Sequence, residues 1–272
     1  GWGGPFGVKA HEESTEVLEW DKNGDIPFFN EMQFDSYLNT RGNGYNVKLG
    51  IIYKPTNEIR LGASIHTPTF YNLNDIFETS MTSSVTYDDG STELYDVMSP
   101  YSEYDYDLET PLRATLSGAF VIAKKGLISI DYEYVDYGGA NLRRGGDGYN
   151  FVDENKEIAE AYKSVGNLRL GGEFKASESI SLRAGFEMYP SAYNANAFGI
   201  SQPNADADLQ VYSAGLGYRS GGFFFDVAYR YSVDDSFDML YPEPGSDMYP
   251  KPQMASFSTL RNNALFTLGF RF

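Results

Sequence analysis

The sequence has no cysteine, which removes disulfides, thiolate nucleophiles and Cys-ligated zinc. That leaves the compartment open, although a thiol-free chain suits an oxidising one. Basic side chains are scarce: 21 Lys and Arg face 38 Asp and Glu, a formal net charge of −17. A nucleic-acid binder needs a basic face to neutralise phosphates, so a nucleic-acid partner is argued against. Histidine occurs only at His11 and His66. No run approaches the ~18 apolar residues of a membrane-spanning helix, and the mean hydropathy is −0.40. GxSxG, P-loop and HExxH patterns are missing, and a Ser-His-Asp triad would have to be gathered from scattered residues. No enzyme and no cofactor are expected. The opening residues Gly1-Trp2-Gly3-Gly4-Pro5-Phe6 hold no Met, basic n-region or apolar h-region. A leader has been removed, or the chain is the later part of a longer protein.

What is abundant is Gly (28), Tyr (22) and Phe (19), in a chain that is polar on average. Their spacing explains the combination. Tyr45, Val47, Leu49, Ile51 and Tyr53 share one parity; after Pro55-Thr56-Asn57, Ile59, Leu61, Ala63 and Ile65 share another, opposite Arg60 and His66. The same period of two recurs over 112–134, 168–188, 212–231 and 264–272, which is the signature of paired β-strands. One face is aliphatic or aromatic; the other is small or charged. A soluble sandwich and a transmembrane barrel both satisfy that alternation.

Three features select the barrel. The apolar parity often persists for about 9 to 11 residues, the length of a tilted membrane-crossing strand. Tight turns at 54–57, 123–126, 175–179 and 219–222 alternate with long polar segments at 68–110, 137–166, 190–208 and 234–256, the outer-membrane pattern. Tyr45, Tyr53, Tyr132, Tyr134, Tyr218, Tyr229 and Tyr231 sit at apolar-face strand ends, as in interfacial girdles. The last strand carries Phe266, Phe270 and a terminal Phe272, and resembles the strand by which barrel-assembly machinery recognises its clients. The expected fold class is therefore all-β: a transmembrane antiparallel β-barrel in the cell outer membrane. Membrane lipid, lipopolysaccharide and the assembly machinery are its expected partners.

The block Gly42-Asn43-Gly44-Tyr45-Asn46-Val47-Lys48-Leu49-Gly50-Ile51-Ile52-Tyr53-Lys54-Pro55, followed by Arg60 through Tyr71 (RLGASIHTPTFY), resembles the FadL/TodX family of outer-membrane transporters for hydrophobic compounds. Gly171-Gly172-Glu173-Phe174, Leu182-Arg183-Ala184-Gly185-Phe186 and the final Phe fit its later hairpins. The resemblance implies a barrel of about fourteen strands, a plug inside it, an outer entrance groove and release into the membrane plane. About ten to thirteen strands are counted here, and no hatch with an Asn-Pro-Ala element precedes Gly42. The chain is expected to be one barrel domain over 1–272, the C-terminal part of a longer protein. Its missing strands and plug would lie elsewhere or come from another chain, since unpaired edges are untenable in lipid. The expected function is passive transport of hydrophobic or amphipathic small molecules of fatty-acid or aromatic-hydrocarbon type. A general porin, the late strands of a larger transporter, and a structural or surface-interaction barrel are the alternatives.

Candidate residues follow from the lumenal parity and, for Phe70 and Tyr71, from their place at the start of a long loop. His66, Phe70, Tyr71, Arg60, Arg169 and Arg183 are the expected ligand path. His66 has no ligand cluster at metal spacing, so no metal is expected and a strand-end hydrogen bond is favoured. Phe70 and Tyr71 would line an entrance groove or anchor a loop. Arg113, Asp131, Glu133, Glu173, Glu187, Arg219, Asp226, Arg230 and Arg271 share the interior with these arginines. They are read first as a ladder of ion pairs, and alternatively as a seal or a carboxylate grip. Between Arg60 and Arg113 there is no Lys or Arg but ten Asp or Glu, among them Asp88, Asp89, Glu103, Asp105, Asp107 and Glu109. A solvated outer loop hairpin is expected there, with Tyr87-Asp88-Asp89-Gly90 as its turn and no calcium-loop spacing. Ala159-Glu160-Ala161-Tyr162, between Lys156 and Lys163, reads as a short loop helix.

Overall fold

The structure is a computed structural model that describes residues 6–21, 27–123, 125–199, 201–238 and 254–270. The period-two segments form antiparallel strands: β1 (Phe6–Trp20), β2 (Phe29–Tyr45), β3 (Lys48–Tyr53), β4 (Ile59–His66), β5 (Phe70–Thr86), β6 (Thr92–Met98), β7 (Ser102–Glu109), β8 (Arg113–Ile122), β9 (Gly126–Asp136), β10 (Asn141–Arg143), β11 (Ser164–Lys175), β12 (Ile180–Tyr189), β13 (Leu209–Ser220), β14 (Phe223–Asp238) and β15 (Ala255–Phe270). Several are successive lengths of one pass. β2 continues into β3, β4 into β5, β6 through β7 into β8, and β9 into β10 across a 3-10 turn at Tyr137–Gly139. The chain thus makes ten passes, each hydrogen-bonded to the next, in an up-and-down wall. The outer edges of β1 and β15 have no strand partner among the described residues.

A seam crosses four of these passes at one level and divides the wall into two sheets. Below it lie β15-β14-β13-β12-β11-β9-β8-β4-β3; above it β1-β2-β5-β7-β10, with β6 also on β5. Proline has no N–H for the ladder, and Pro68 and Pro111 both fall at this level. Register jumps from Tyr45↔Phe70 to Lys48↔His66, so Asn46-Val47 opposes three residues, Thr67-Pro68-Thr69, as a bulge. Two passes on, Thr110-Pro111-Leu112 opposes the five residues 136–140. Side chains bridge the break: Asn46 donates to the Thr69 hydroxyl (2.8 Å), and the N–H groups of Val47 and Thr69 donate to the hydroxyls of Thr67 and Thr110 (3.0 and 2.9 Å).

In the lower sheet the parities separate as the sequence predicts. Leu49, Ile51, Leu116, Ile128, Ile130, Leu170, Leu182, Leu216, Phe266 and Leu268 form one continuous exposed face. An apolar belt this wide is not left to water by a soluble protein. On the opposite face Val135, Val211, Glu133 and Asn167 are buried. Tight turns close the lower end; at Ala123 the chain takes φ 47°, and Lys125 N–H donates to the Ile122 carbonyl.

Above the seam the structure corrects the reading of 68–110 as a polar loop, because β5, β6 and β7 occupy most of it. In β7 acidic residues alternate with Tyr104, Tyr106 and Leu108, whereas β5 has no sustained alternation. Cross-strand amide–carboxylate pairs join β5 to β7: Asn72 donates to Asp107 (3.0 Å), and Asn74 to Glu103 (3.1 Å) and Asp105 (2.9 Å). The expected turn is present, with Gly90 at φ 80° and its N–H donating to the Tyr87 carbonyl. The loop helix is also present as α1 (Val152–Ala161). It is stapled to the 190–208 segment: Asn194 donates to the carbonyls of Glu160 and Tyr162, and Lys163 N–H to that of Ala192. Strands β1 and β2, ahead of the recognisable block, are an addition to the sequence reading.

Candidate functional site

The inner face of the lower sheet carries two charge networks. In the upper one, Glu133 accepts from Asn167 (2.9 Å) and pairs with Arg169 (3.2 Å); Arg169 also donates to the Tyr189 hydroxyl (3.1 Å). Tyr189 in turn donates to Glu187 (2.6 Å), which pairs with Arg230 (3.5 Å). In the lower one, Arg183 bridges Glu173 (2.7 Å) and Asp226 (2.6 Å). That bridge crosses β13, and glycine makes it possible. Arg183 lies over Gly215 and Gly217, where a Cβ on Gly217 would fall 2.6 Å from Asp226 Oδ1 and 3.3 Å from the guanidinium. Gly217→Val is expected to cost about 1–2 kcal/mol, the discounted worth of a half-exposed charge pair. Gly172→Val is tolerated, since the nearest atom to its Cβ is the Leu127 carbonyl at 3.8 Å. Urea unfolding in detergent micelles compares the two.

Seven arginines and five carboxylates were grouped from sequence as sharing the interior, and the structure joins only part of them. Arg169, Arg183, Arg230, Glu133, Glu173, Glu187 and Asp226 are linked as above. Arg60, Arg113, Asp131 and Arg219 make no ion pair among the described residues, and Arg271 lies outside them. Arg169 and Arg183 are therefore committed to carboxylates. His66 stands directly across from Lys48 on one side and Arg113 on the other, at the lower rim of the seam. Phe266 and Phe270 lie on the outer face of β15, Phe270 against Phe223 at 5.5 Å between ring centroids; Phe272 is outside the described residues.

Phe70 and Tyr71 both line a pocket of about 550 Å³ immediately above the seam, with side chains on opposite faces of β5. Its neighbours include Tyr45, Asn72, Leu108, Glu109, Arg143 and Arg144. Tyr45 and Phe70 stack at 5.5 Å, and the Tyr71 ring lies across Gly44, where any Cβ would collide with it. Arg143 pairs with Glu109 (2.5 Å), and Arg144, held at φ 49°, approaches Asp107 (3.8 Å). The loop after Arg144 is fixed at Asp147. Its carboxyl is held below the usual range by the Tyr149 N–H and then by the Tyr104 hydroxyl. The pocket therefore joins an aromatic wall to a charged end. Sequence reasoning found the two aromatics but missed Arg143, Arg144 and Glu109, whose approach depends on β10 returning beside β7. Among the described residues no three His, Asp or Glu side chains converge to hold a metal ion.

A family model described as outer membrane protein transport protein (OMPP1/FadL/TodX) matches residues 23–272. The chain belongs to this family. FadL/TodX proteins are outer-membrane transporters rather than enzymes, and the antiparallel wall with its apolar outer belt is their barrel. Eleven chains of solved structures also match. One is a FadL homologue of Pseudomonas aeruginosa, 13% identical, covering 94% of this chain and 76% of its own length, with a TM-score of 0.46. The search of curated proteins returned no match.

Proposed function

We propose that this FadL/TodX protein carries hydrophobic or amphipathic small molecules of fatty-acid or aromatic-hydrocarbon type passively across the outer membrane, releasing them sideways at the seam. The observation that carries this reading is the position of the pocket. Its aromatic wall and its Arg143–Glu109 end lie where the backbone ladder is already broken. An apolar tail would lie along the stacked Tyr45 and Phe70 rings, while its polar head would exchange into the arginine–carboxylate pairs. In the lower sheet the ladders run without a register shift, so sideways passage at the seam breaks fewer bonds than passage through that sheet. The lumenal networks serve as a polar lining that keeps the wall rigid. The outer edges of β1 and β15, which have no strand partner among the described residues, support the view that further strands, from outside these residues or from another chain, complete the wall in lipid. The membrane is the outer one, with lipopolysaccharide around the long-loop end and the terminal aromatic strand serving assembly.

The experiment is uptake into proteoliposomes of a labelled long-chain fatty acid and, separately, of a small sugar. Fatty-acid uptake well above protein-free vesicles, without sugar flux, is expected. Sugar flux without fatty-acid uptake would instead mark a general porin.

A further inference from the structure

We infer that the free edge of β6 is a docking strand for a basic, extended polypeptide segment. β6 is paired on one side with β5, in unbroken register from Thr86↔Thr92 to Ser80↔Met98. Among the described residues no strand lies on its other side. All seven of its residues are exposed, Leu94 at 78% and Val97 and Met98 at 63% each. Exposed edges are ordinarily blunted by Lys, Pro or a bulge. Thr92-Glu93-Leu94-Tyr95-Asp96-Val97-Met98 has none of these. It presents ladder N–H and C=O groups to whatever strand arrives, and strand addition draws its affinity from those groups.

Charge decides what arrives. The four strands β1, β2, β5 and β6 carry ten Asp and Glu against two Lys and Arg. On β6 itself Glu93 lies on the face with Tyr95 and Val97, and Asp96 on the face with Leu94 and Met98. Glu93 accepts from the Tyr95 hydroxyl (2.6 Å), whereas Asp96 has no hydrogen bond or ion pair among the described residues. Each face thus offers one carboxylate beside apolar side chains. An incoming strand that alternates Lys or Arg with aliphatic residues meets both. A second copy of β6 would bring carboxylates to carboxylates, and an anionic phosphate surface would be repelled in the same way. This docking surface stands apart from the transport pocket.

The test uses the full chain in detergent micelles and fluorescein-labelled peptides of about ten residues. One alternates Lys and Val, one alternates Glu and Val, and one is the Lys/Val peptide N-methylated on every amide, which keeps charge and side chains but removes the strand's donors. Fluorescence anisotropy is expected to saturate with the Lys/Val peptide alone, and the double variant Leu94→Lys/Val97→Lys is expected to weaken that binding about tenfold or more while its urea midpoint stays that of the parent. Equal binding of the N-methylated peptide reduces the effect to charge and overturns the proposal, as does unchanged binding by the double variant. Dimerisation of the peptide-free protein through β6, seen by light scattering and abolished in the double variant, overturns it in favour of a second copy.

Discussion

Ile130→Arg is expected to destabilise the folded protein in lipid by about 2–4 kcal/mol, whereas Ser129→Arg, one residue earlier, changes stability by about 1 kcal/mol or less. The two positions are neighbours in the middle of β9 and differ only in parity. Ile130 is half exposed on the apolar belt, between Gly118 and Leu170. A guanidinium there would be held in hydrocarbon or forced to snorkel past neighbouring strands. Ser129 points to the polar side and is paired across the ladder with Gly171, itself paired with Gly185. That stretch of wall is free of large side chains, so an arginine can lie across it as Arg183 lies across Gly215 and Gly217. Reversible urea unfolding in lipid vesicles reads both variants.

The lower sheet was legible in the sequence because a bilayer imposes a rule on every residue there. Leu168, Leu170 and Phe174 had to alternate with Arg169 and Glu173, and hairpins close enough to keep register had to carry short turns. Nothing imposes that rule above the seam. Asn72, Asn74, Asp105 and Asp107 form as regular a ladder as Ile128 and Ile130 do, but the apolar packing behind them is Leu73 and the Tyr104–Tyr106–Phe151 cluster, and so acidic a stretch reads as a loop. The Tyr87–Gly90 turn remained visible because a positive φ at Gly90 is a local requirement. Phe70 and Tyr71 were marked by the family block that contains them. Arg143 and Glu109 were not, since they are 34 positions apart in sequence and meet only through the pairing of β7 with β10. The linked charges share the face opposite the apolar belt. Which charges pair depends on where glycines clear a path, as at Gly217, and spacing along one strand does not reveal that.

Locking the seam is expected to abolish uptake. Asn46 and Thr69 face each other across it, joined at present by one side-chain hydrogen bond of 2.8 Å and flanked by the Tyr45↔Phe70 pair. Opposed residues of antiparallel strands have Cα atoms about 4.5–5.5 Å apart, which suits a disulfide. The chain has no cysteine of its own, so a double variant Asn46→Cys/Thr69→Cys forms a single defined bridge. If ligand leaves by parting the bulge of Asn46-Val47 from Thr67-Pro68-Thr69, the covalent bond closes that route while leaving the pocket intact. The bridge Ser64→Cys/Thr115→Cys joins directly paired residues of the unbroken lower sheet and serves as the control. The deciding measurement is fatty-acid uptake into proteoliposomes by the Asn46→Cys/Thr69→Cys protein, oxidised and then reduced. Uptake lost on oxidation and recovered on reduction, with the control unaffected, is the predicted result; equal uptake in both states would contradict lateral release at the seam.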